Sequence, residues 1–259
     1  MIPKIIHYCW FGGNPEPESV KKCISSWKTF LPDYKIIRWD ESNYDVHKNQ
    51  YMSDAYKEKK WAFVSDYARI DVVCQEGGIY LDTDVEVVKS FDSLLKEQMF
   101  CGFESRDPVG YKKNALIEYS VNLGLGYGAE KNHPVLVEIL KFYESLSFYK
   151  EDGTLNLVAC PRYQTMVLAN YGLVPNNETQ RFDGGIAYSP EYFCPQSNIT
   201  DRMICLTDNT YSIHHFTVSW ASSKDLEARA MKNKLSQYLP YWLASKIVTL
   251  IYKFKQHEK

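Results

Sequence analysis

Apolar and polar positions recur along this chain with two periods, and the changes of period mark its elements. Ile5-Ile6-His7-Tyr8-Cys9-Trp10-Phe11 is a short apolar run halted by Gly12-Gly13, which reads as a buried strand. Pro15 and Pro17 then open a helix, because proline is tolerated in a helix's first turn. Val20, Ile24, Trp27 and Leu31 share one helical face, and Pro32-Asp33 ends it. Residues 34–39 form a second strand. Strand, helix and strand in such quick succession predict a parallel βαβ unit.

Helices are expected over 52–60 and 62–76, the latter capped by Gly77-Gly78, and a strand over 79–88. Further strands are expected near 99–104, 186–193 and 211–216, with a loop over 106–114. Residues 133–146 read as a helix with Val135, Ile139, Phe142 and Leu146 on one face, and 164–171 as another. No repeat, low-complexity tract or linker interrupts the pattern. It predicts one α/β domain over residues 1–220 and a distinct tail over 221–259.

Composition narrows the class. Of 259 residues, 45% are hydrophobic and 24% charged, which excludes disorder, collagen and coiled coil. Lys plus Arg is 30 against 32 for Asp plus Glu, so no basic excess calls for a nucleic-acid partner. The seven cysteines are odd in number, widely spaced and form no C-x-x-C, which fits buried thiols in a reducing compartment. There is no long apolar region after Met1 and no run long enough to span a membrane, so a cytoplasmic location is expected.

The densest chemistry lies in Ile79-Tyr80-Leu81-Asp82-Thr83-Asp84-Val85-Glu86-Val87. Read as a strand, it puts Tyr80, Asp82, Asp84 and Glu86 on one face, with the roots of the two aspartates about 6.6 Å apart. Both can reach one hard cation, directly or through a water or a substrate hydroxyl, and that cation relieves their repulsion. A surface strand with a polar outer face is the plainer alternative. The position after Gly77-Gly78 and a helix puts the acids at a strand's carboxyl end, where open α/β sheets bind ligands. Upstream, Asp66 and Arg69 are helical neighbours, either a simple ion pair or a carboxylate and guanidinium for sugar hydroxyls and phosphate. Trp10 offers a flat stacking surface or a core side chain. His214 and His215 are adjacent on a strand and point to opposite sides, so one at most faces a metal.

Taken together, the 5–13 run, Ser65-Asp66-Tyr67-Ala68-Arg69, Gly77 to Asp84, and Ile213-His214-His215-Phe216-Thr217-Val218-Ser219-Trp220 resemble glycosyltransferase family 32. That family holds bacterial capsular and lipopolysaccharide transferases and fungal mannosyltransferases, and is similar to the glucosyltransferase domains of large clostridial toxins. The resemblance is dense over 3–95 and resumes at 213–220. It implies a GT-A fold with a Rossmann-like mixed sheet flanked by helices. It also implies a nucleotide-sugar donor (UDP-sugar favoured, GDP-sugar as the other choice), a Mn²⁺ or Mg²⁺ ion, and retention at the anomeric carbon.

By resemblance Trp10 stacks on the base, Tyr80 lies beside the nucleotide, and Asp66 and Arg69 hold the donor sugar. Asp82 contacts ribose and sugar and touches the metal, Asp84 ligates the metal directly, and Ser219 and Trp220 close over the diphosphate. His215 is chosen over His214 as the further metal ligand, on its spacing to Trp220. The chain has no G-x-G-x-x-G or Walker loop, so positive charge for a diphosphate must come from elsewhere, and the metal supplies it. No general base is assigned. The acceptor is expected to be a carbohydrate in bacterial surface polysaccharide synthesis. A nucleotide-sugar hydrolase, a nucleotidyltransferase, or an inactive nucleotide- or carbohydrate-binding module would use the same residues. The segment 239–255 is apolar, aromatic and basic, and suits an interfacial helix at a membrane surface, packing on the domain, or subunit pairing.

Overall fold

The computed structural model describes residues 1–104, 119–197, 203–217, 223–236 and 238–257. The apolar run at the N-terminus becomes strand β1 (Ile5–Cys9), and its side chains alternate between two cores. Ile6 and Tyr8 enter one, Cys9 the other. Helix α1 (Glu18–Phe30) buries Val20, Ile24 and Trp27 as its periodicity requires. Strand β2 (Lys35–Trp39) returns parallel to β1 in unbroken register from Ile5↔Lys35 to Cys9↔Trp39, completing the expected βαβ unit.

Helices α2 (Gln50–Lys57) and α3 (Trp61–Glu76) lead to β3 (Gly78–Tyr80), which lies parallel to β1 on its other side. After β4 (Val85–Val87) come β5 (Met99–Gly102), β6 (Tyr127–Ala129), α4 (Pro134–Glu144), α5 (Cys160–Asn170), β7 (Gln180–Phe182), β8 (Gly185–Tyr188) and β9 (Ser212–His214). Among the described residues seven strands form one mixed sheet in the order β2-β1-β3-β6-β5-β8-β7, and β4 pairs with β9 in a separate ribbon. Helices α2 to α5 cover one face of the large sheet and α1 the other. The architecture is the expected single α/β domain with a mixed sheet between helices.

The strand expected over 79–88 does not run through. Leu81 N–H still bonds His7 O, but Asp82 N–H turns to Gly124 O, and Val85 N–H closes back on Asp82 O. Asp82-Thr83-Asp84 is therefore a turn, and the chain leaves the large sheet there to form β4 against β9. The pattern of alternation is the same on both sides of the turn, which is why it reads as one strand. Likewise the strand expected over 186–193 ends at Tyr188, because Pro190 has no N–H for a ladder and opens a short 3₁₀ turn instead. The helix expected over 164–171 starts earlier, with Pro161 in its first turn. The loop expected over 106–114 lies outside the described residues.

Beyond these, α6 (Ser223–Leu235) and α7 (Tyr241–His257) pack on each other, with Pro240 just before α7. No helix among the described residues is long and apolar enough to cross a membrane. All seven cysteines are free thiols, six of them buried.

Candidate active site

Helix α3 brings charge into the interior. It is apolar on nearly every side, yet Asp66 and Arg69 on it are both buried. A buried guanidinium must be paired. Arg69 Nη2 meets Asp66 Oδ1 at 3.0 Å and Asp82 Oδ1 at 3.3 Å, while Nε donates to Ser65 O. Its guanidinium also lies over the Tyr80 ring, 5.2 Å from the centroid. Burial pushes the Asp66 carboxyl above the ordinary carboxylate range despite Arg69 beside it. Burial pushes Asp82 the same way, but Arg69, His214 and the Tyr80 hydroxyl together reverse it, and its carboxyl is held low. Asp82 is thus kept as an anion at the end of β3, at the place where the large sheet gives way to the turn.

Asp84 sits two residues on in that turn. Its Oδ2 accepts from Thr217 N–H at 2.9 Å and from Thr217 Oγ1 at 3.2 Å, and its carbonyl accepts from His215 N–H. These bonds come from the segment leaving β9, whose register sets Val85 opposite His214. That register decides which histidine faces the acids. His214 Nε2 lies 3.2 Å from Asp84 Oδ1 and 3.6 Å from Asp82 Oδ2, whereas His215 Nε2 pairs with Glu86 Oε2 at 2.9 Å on the outer side. The structure therefore puts His214 beside the two acids and turns His215, the residue chosen from the sequence, away from them.

Asp82, Asp84 and His214 each offer a ligand atom, all within 4.8 Å of one another. Two carboxylate oxygens and one imidazole suit a hard or borderline divalent cation such as Mg²⁺ or Mn²⁺. His214 has a further constraint. Phe216 N–H donates to its Nδ1 at 3.1 Å, which assigns the ring proton to Nε2, facing the carboxylates. Burial lowers the basicity of this imidazole, but Asp84 and Asp82 outweigh burial and raise it. The carboxylates are thus the donors a cation meets first. His214 would serve as a third ligand through Nε2 only in the tautomer that carries its proton on Nδ1, where Phe216 N–H now donates.

These groups open into a cavity of about 540 Å³, within the range of small-molecule sites (roughly 300–1,000 Å³). Arg69, Tyr80, Asp82, Asp84 and His214 line its floor, and Trp10 lines its rim with Trp61. Trp10 is part-exposed and tethered through Nε1–H to Asn14 O at 2.6 Å, so its ring is held at the opening rather than folded into the core. Gly12 has φ +93°, and a Cβ there would lie 2.6 Å from the Trp61 indole, so the loop after β1 can pass Trp61 only as glycine. Asp66 stands behind Arg69. Ser219 and Trp220 lie outside the described residues.

Two charged lining residues were not singled out by the sequence. Glu104, buried at the end of β5, adds a third carboxylate, and Arg229 on α6 adds a second guanidinium. Neither belongs to a local pattern that would mark it. The glycine-rich stretch at 122–133 does carry a signal. Gly124 gives its carbonyl to Asp82 N–H, and a Cβ on it would fall against Asp82 Oδ2 and 2.7 Å from Arg69 Nη1.

A family model described as capsular polysaccharide synthesis protein matches residues 1–156. Inositol phosphoceramide mannosyltransferase 1 of Schizosaccharomyces pombe is 26% identical over 187 residues, 68% of this chain and 54% of that protein. Mannosyl phosphorylinositol ceramide synthase CSH1 of Saccharomyces cerevisiae is 28% identical over 159 residues, 59% of this chain and 37% of its own length. The chain thus spans about half, or less, of the curated relatives it matches. Among solved structures, PaToxG glycosyltransferase aligns with 65% of this chain and 69% of its own at 24% identity and a TM-score of 0.49. The galactosyltransferase LgtC, in complex with donor and acceptor sugar analogues, aligns with 78% of this chain and 91% of its own at 12% identity and a TM-score of 0.38.

Proposed function

The chain belongs to the capsular polysaccharide synthesis protein family, in keeping with the resemblance carried by its four motifs, and we propose that it is a metal-dependent glycosyltransferase of the GT-A type. The reaction moves a hexose, with retention, from a nucleoside diphosphate sugar to a hydroxyl of a carbohydrate acceptor. The observation that supports this most directly is the convergence of Asp82, Asp84 and Arg69 in one cavity whose rim holds an anchored tryptophan. A UDP-sugar is the favoured donor on the family resemblance. A relative named as a mannosyltransferase makes a GDP-linked mannose the second donor to test. In this reading the acceptor belongs to surface polysaccharide synthesis, and the helical extension after residue 220 serves as a packing element or as a peripheral contact with the membrane surface.

In this reading Asp84 and Asp82 hold a Mn²⁺ or Mg²⁺ ion, which when bound supplies positive charge to the departing diphosphate. Arg69, fixed on two sides by Asp66 and Asp82, presents its remaining N–H donors without further reorganisation, the preorganisation that lowers a charge-separating barrier. Trp10 offers its face to the base, an interaction worth about 1–3 kcal/mol per stacked base in nucleic-acid systems. Ser219 and Trp220 are assigned to the diphosphate.

The test has two stages. Thermal stabilisation by UDP-glucose, UDP-galactose, UDP-N-acetylglucosamine and GDP-mannose, each with and without Mn²⁺, identifies the donor by mass action. Release of nucleoside diphosphate is then followed with and without acceptor. Acceptor-dependent release is expected, and equal release without acceptor would instead mark a hydrolase. Asp84→Asn is expected to lose turnover by at least about 100-fold. Near-normal turnover in that variant would remove the metal from the centre of the reading.

A further inference from the structure

Charge in the cavity leaves a need that the residues assigned above do not meet. Asp82, Asp84 and Glu104 contribute three carboxylates to its lining. Arg69 faces them and keeps N–H donors toward the cavity, but Asp66 and Asp82 beside it already balance its charge. A divalent ion on Asp82 and Asp84 would do little more than neutralise those two acids. A diphosphate carries further negative charge into the same space, and the chain has no glycine-rich phosphate loop to receive it. A further fixed cation is required, and the cavity lining contains one, Arg229.

Arg229 is carried by α6, well beyond the 1–156 span of the family match. It is half-buried, and Nη1 donates to the carbonyl of Phe216. That bond ties it to the segment organising the acidic turn. Phe216 has φ +49°, its ring lies 4.2 Å from the His214 ring, and its N–H serves His214 Nδ1. Thr217, the next residue, donates twice to Asp84. One short segment therefore anchors Asp84, His214 and one terminal nitrogen of Arg229. A guanidinium at this wall of the cavity suits a phosphate, which it can meet through two N–H groups at once, a geometry an ammonium does not provide.

We propose that Arg229 binds the diphosphate of the donor, so that α6 completes the donor site. This rests on the reading of the cavity as a nucleotide-sugar site. Binding of UDP, GDP, UMP and GMP to the full chain in Mn²⁺ is measured by calorimetry for the wild type, Arg229→Met and Arg229→Lys. Arg229→Met is expected to weaken the preferred nucleoside diphosphate by about tenfold or more, the scale of one lost charged hydrogen-bond pair. The matching monophosphate and Mn²⁺ alone should bind within about twofold of wild type, and Arg229→Lys should recover part of the loss, since it restores the charge without the fork. With an active donor, KM should rise more than kcat falls.

Unchanged diphosphate affinity in Arg229→Met would overturn the proposal. So would equal weakening of mono- and diphosphate, which would mark Arg229 as a tether of Phe216 only. If the wild type binds no nucleoside diphosphate, the broader reading fails and this one with it. Wild-type binding that the variant retains sinks this inference alone.

Discussion

At the scale of single residues, the site is built by close approach as much as by charge. Gly124 lies where Asp82 and Arg69 meet, and the space for a Cβ is already taken by their side chains. Gly124→Ala should push the pair apart, cost about 1–3 kcal/mol of stability as overpacking does, and lower turnover more than the stability loss alone explains. Denaturant titration and donor kinetics on the same preparation separate the two effects. Away from the cavity, His7 is fully buried, with Nε2 bonded to Gly77 O at 2.9 Å and Nδ1 accepting from Trp39 Nε1 at 3.1 Å. Burial holds its basicity below the ordinary 6.5, and His133 is lowered by burial too. The unfolded chain therefore binds more protons as pH falls through 6.5, so stability present above that value is lost below it. His214, whose basicity is raised, acts with the opposite sign in this window, so the difference is what tells: between pH 7.5 and 5.5 the denaturant midpoint of His7→Gln, which cannot titrate, should fall less than that of the wild type, and an equal change would exclude His7 as a source. Which residues were legible follows the same physics. Asp82, Asp84, Asp66 and Arg69 stand out in sequence because acids and a guanidinium inside apolar patterns are expensive to bury without a reason. Glu104 and Arg229 reach the cavity only through the tertiary fold, and nothing beside them in the chain marks them. Alternation showed that at most one of His214 and His215 can face a metal, but the choice depends on the register of β4 with β9, which no local pattern carries.

At the scale of elements, the regular pieces were legible because their periods are strong. The βαβ unit of β1, α1 and β2 came directly from an apolar run, a four-residue stripe and a second run. The break between β3 and β4 did not, since a period of two continues through the turn that holds both aspartates. What places that turn is a brace from α1, which shares a core with Val85 and Val87. Helix α1 sends Trp27 Nε1–H to Val85 O at 2.7 Å, and Ser26 Oγ accepts from Val87 N–H at 2.9 Å. Val85 follows Asp84 directly, so the helix fixes the strand onto which the acidic turn runs. Trp27→Phe keeps much of the buried ring but leaves the Val85 carbonyl without its indole donor, at a cost of about 1–3 kcal/mol. If the brace matters to the site, Mn²⁺ affinity should fall with stability; unchanged Mn²⁺ affinity in a destabilised variant would confine α1 to packing.

At the scale of the whole molecule, the family match and the folding unit have different lengths. The match covers 1–156, yet β8, which lies parallel to β5 in the large sheet, β9, which supplies His214, and the segment after it, which supplies the bonds to Asp84, all come later. Val167, Leu168, Phe182 and Ala187 join one core, and Phe193 and Tyr211 the other. A chain ending at 156 would leave both cores open and β5 with an unpaired edge, a state prone to aggregation. It should show no cooperative unfolding transition. A chain ending at 217 keeps both sheets, both cores and Thr217 on Asp84, while losing α6 and α7. That chain should unfold cooperatively and bind Mn²⁺, because every residue proposed to hold the ion remains. Its affinity for nucleoside diphosphate should fall at least as far as that of Arg229→Met, because Ser219 and Trp220 are lost together with the α6 guanidinium. Calorimetry on the two truncated chains beside the whole one decides the matter. If the 1–217 chain holds the diphosphate as tightly as the full chain, the helices after Thr217 lie outside the donor site and serve only packing or contact with a surface.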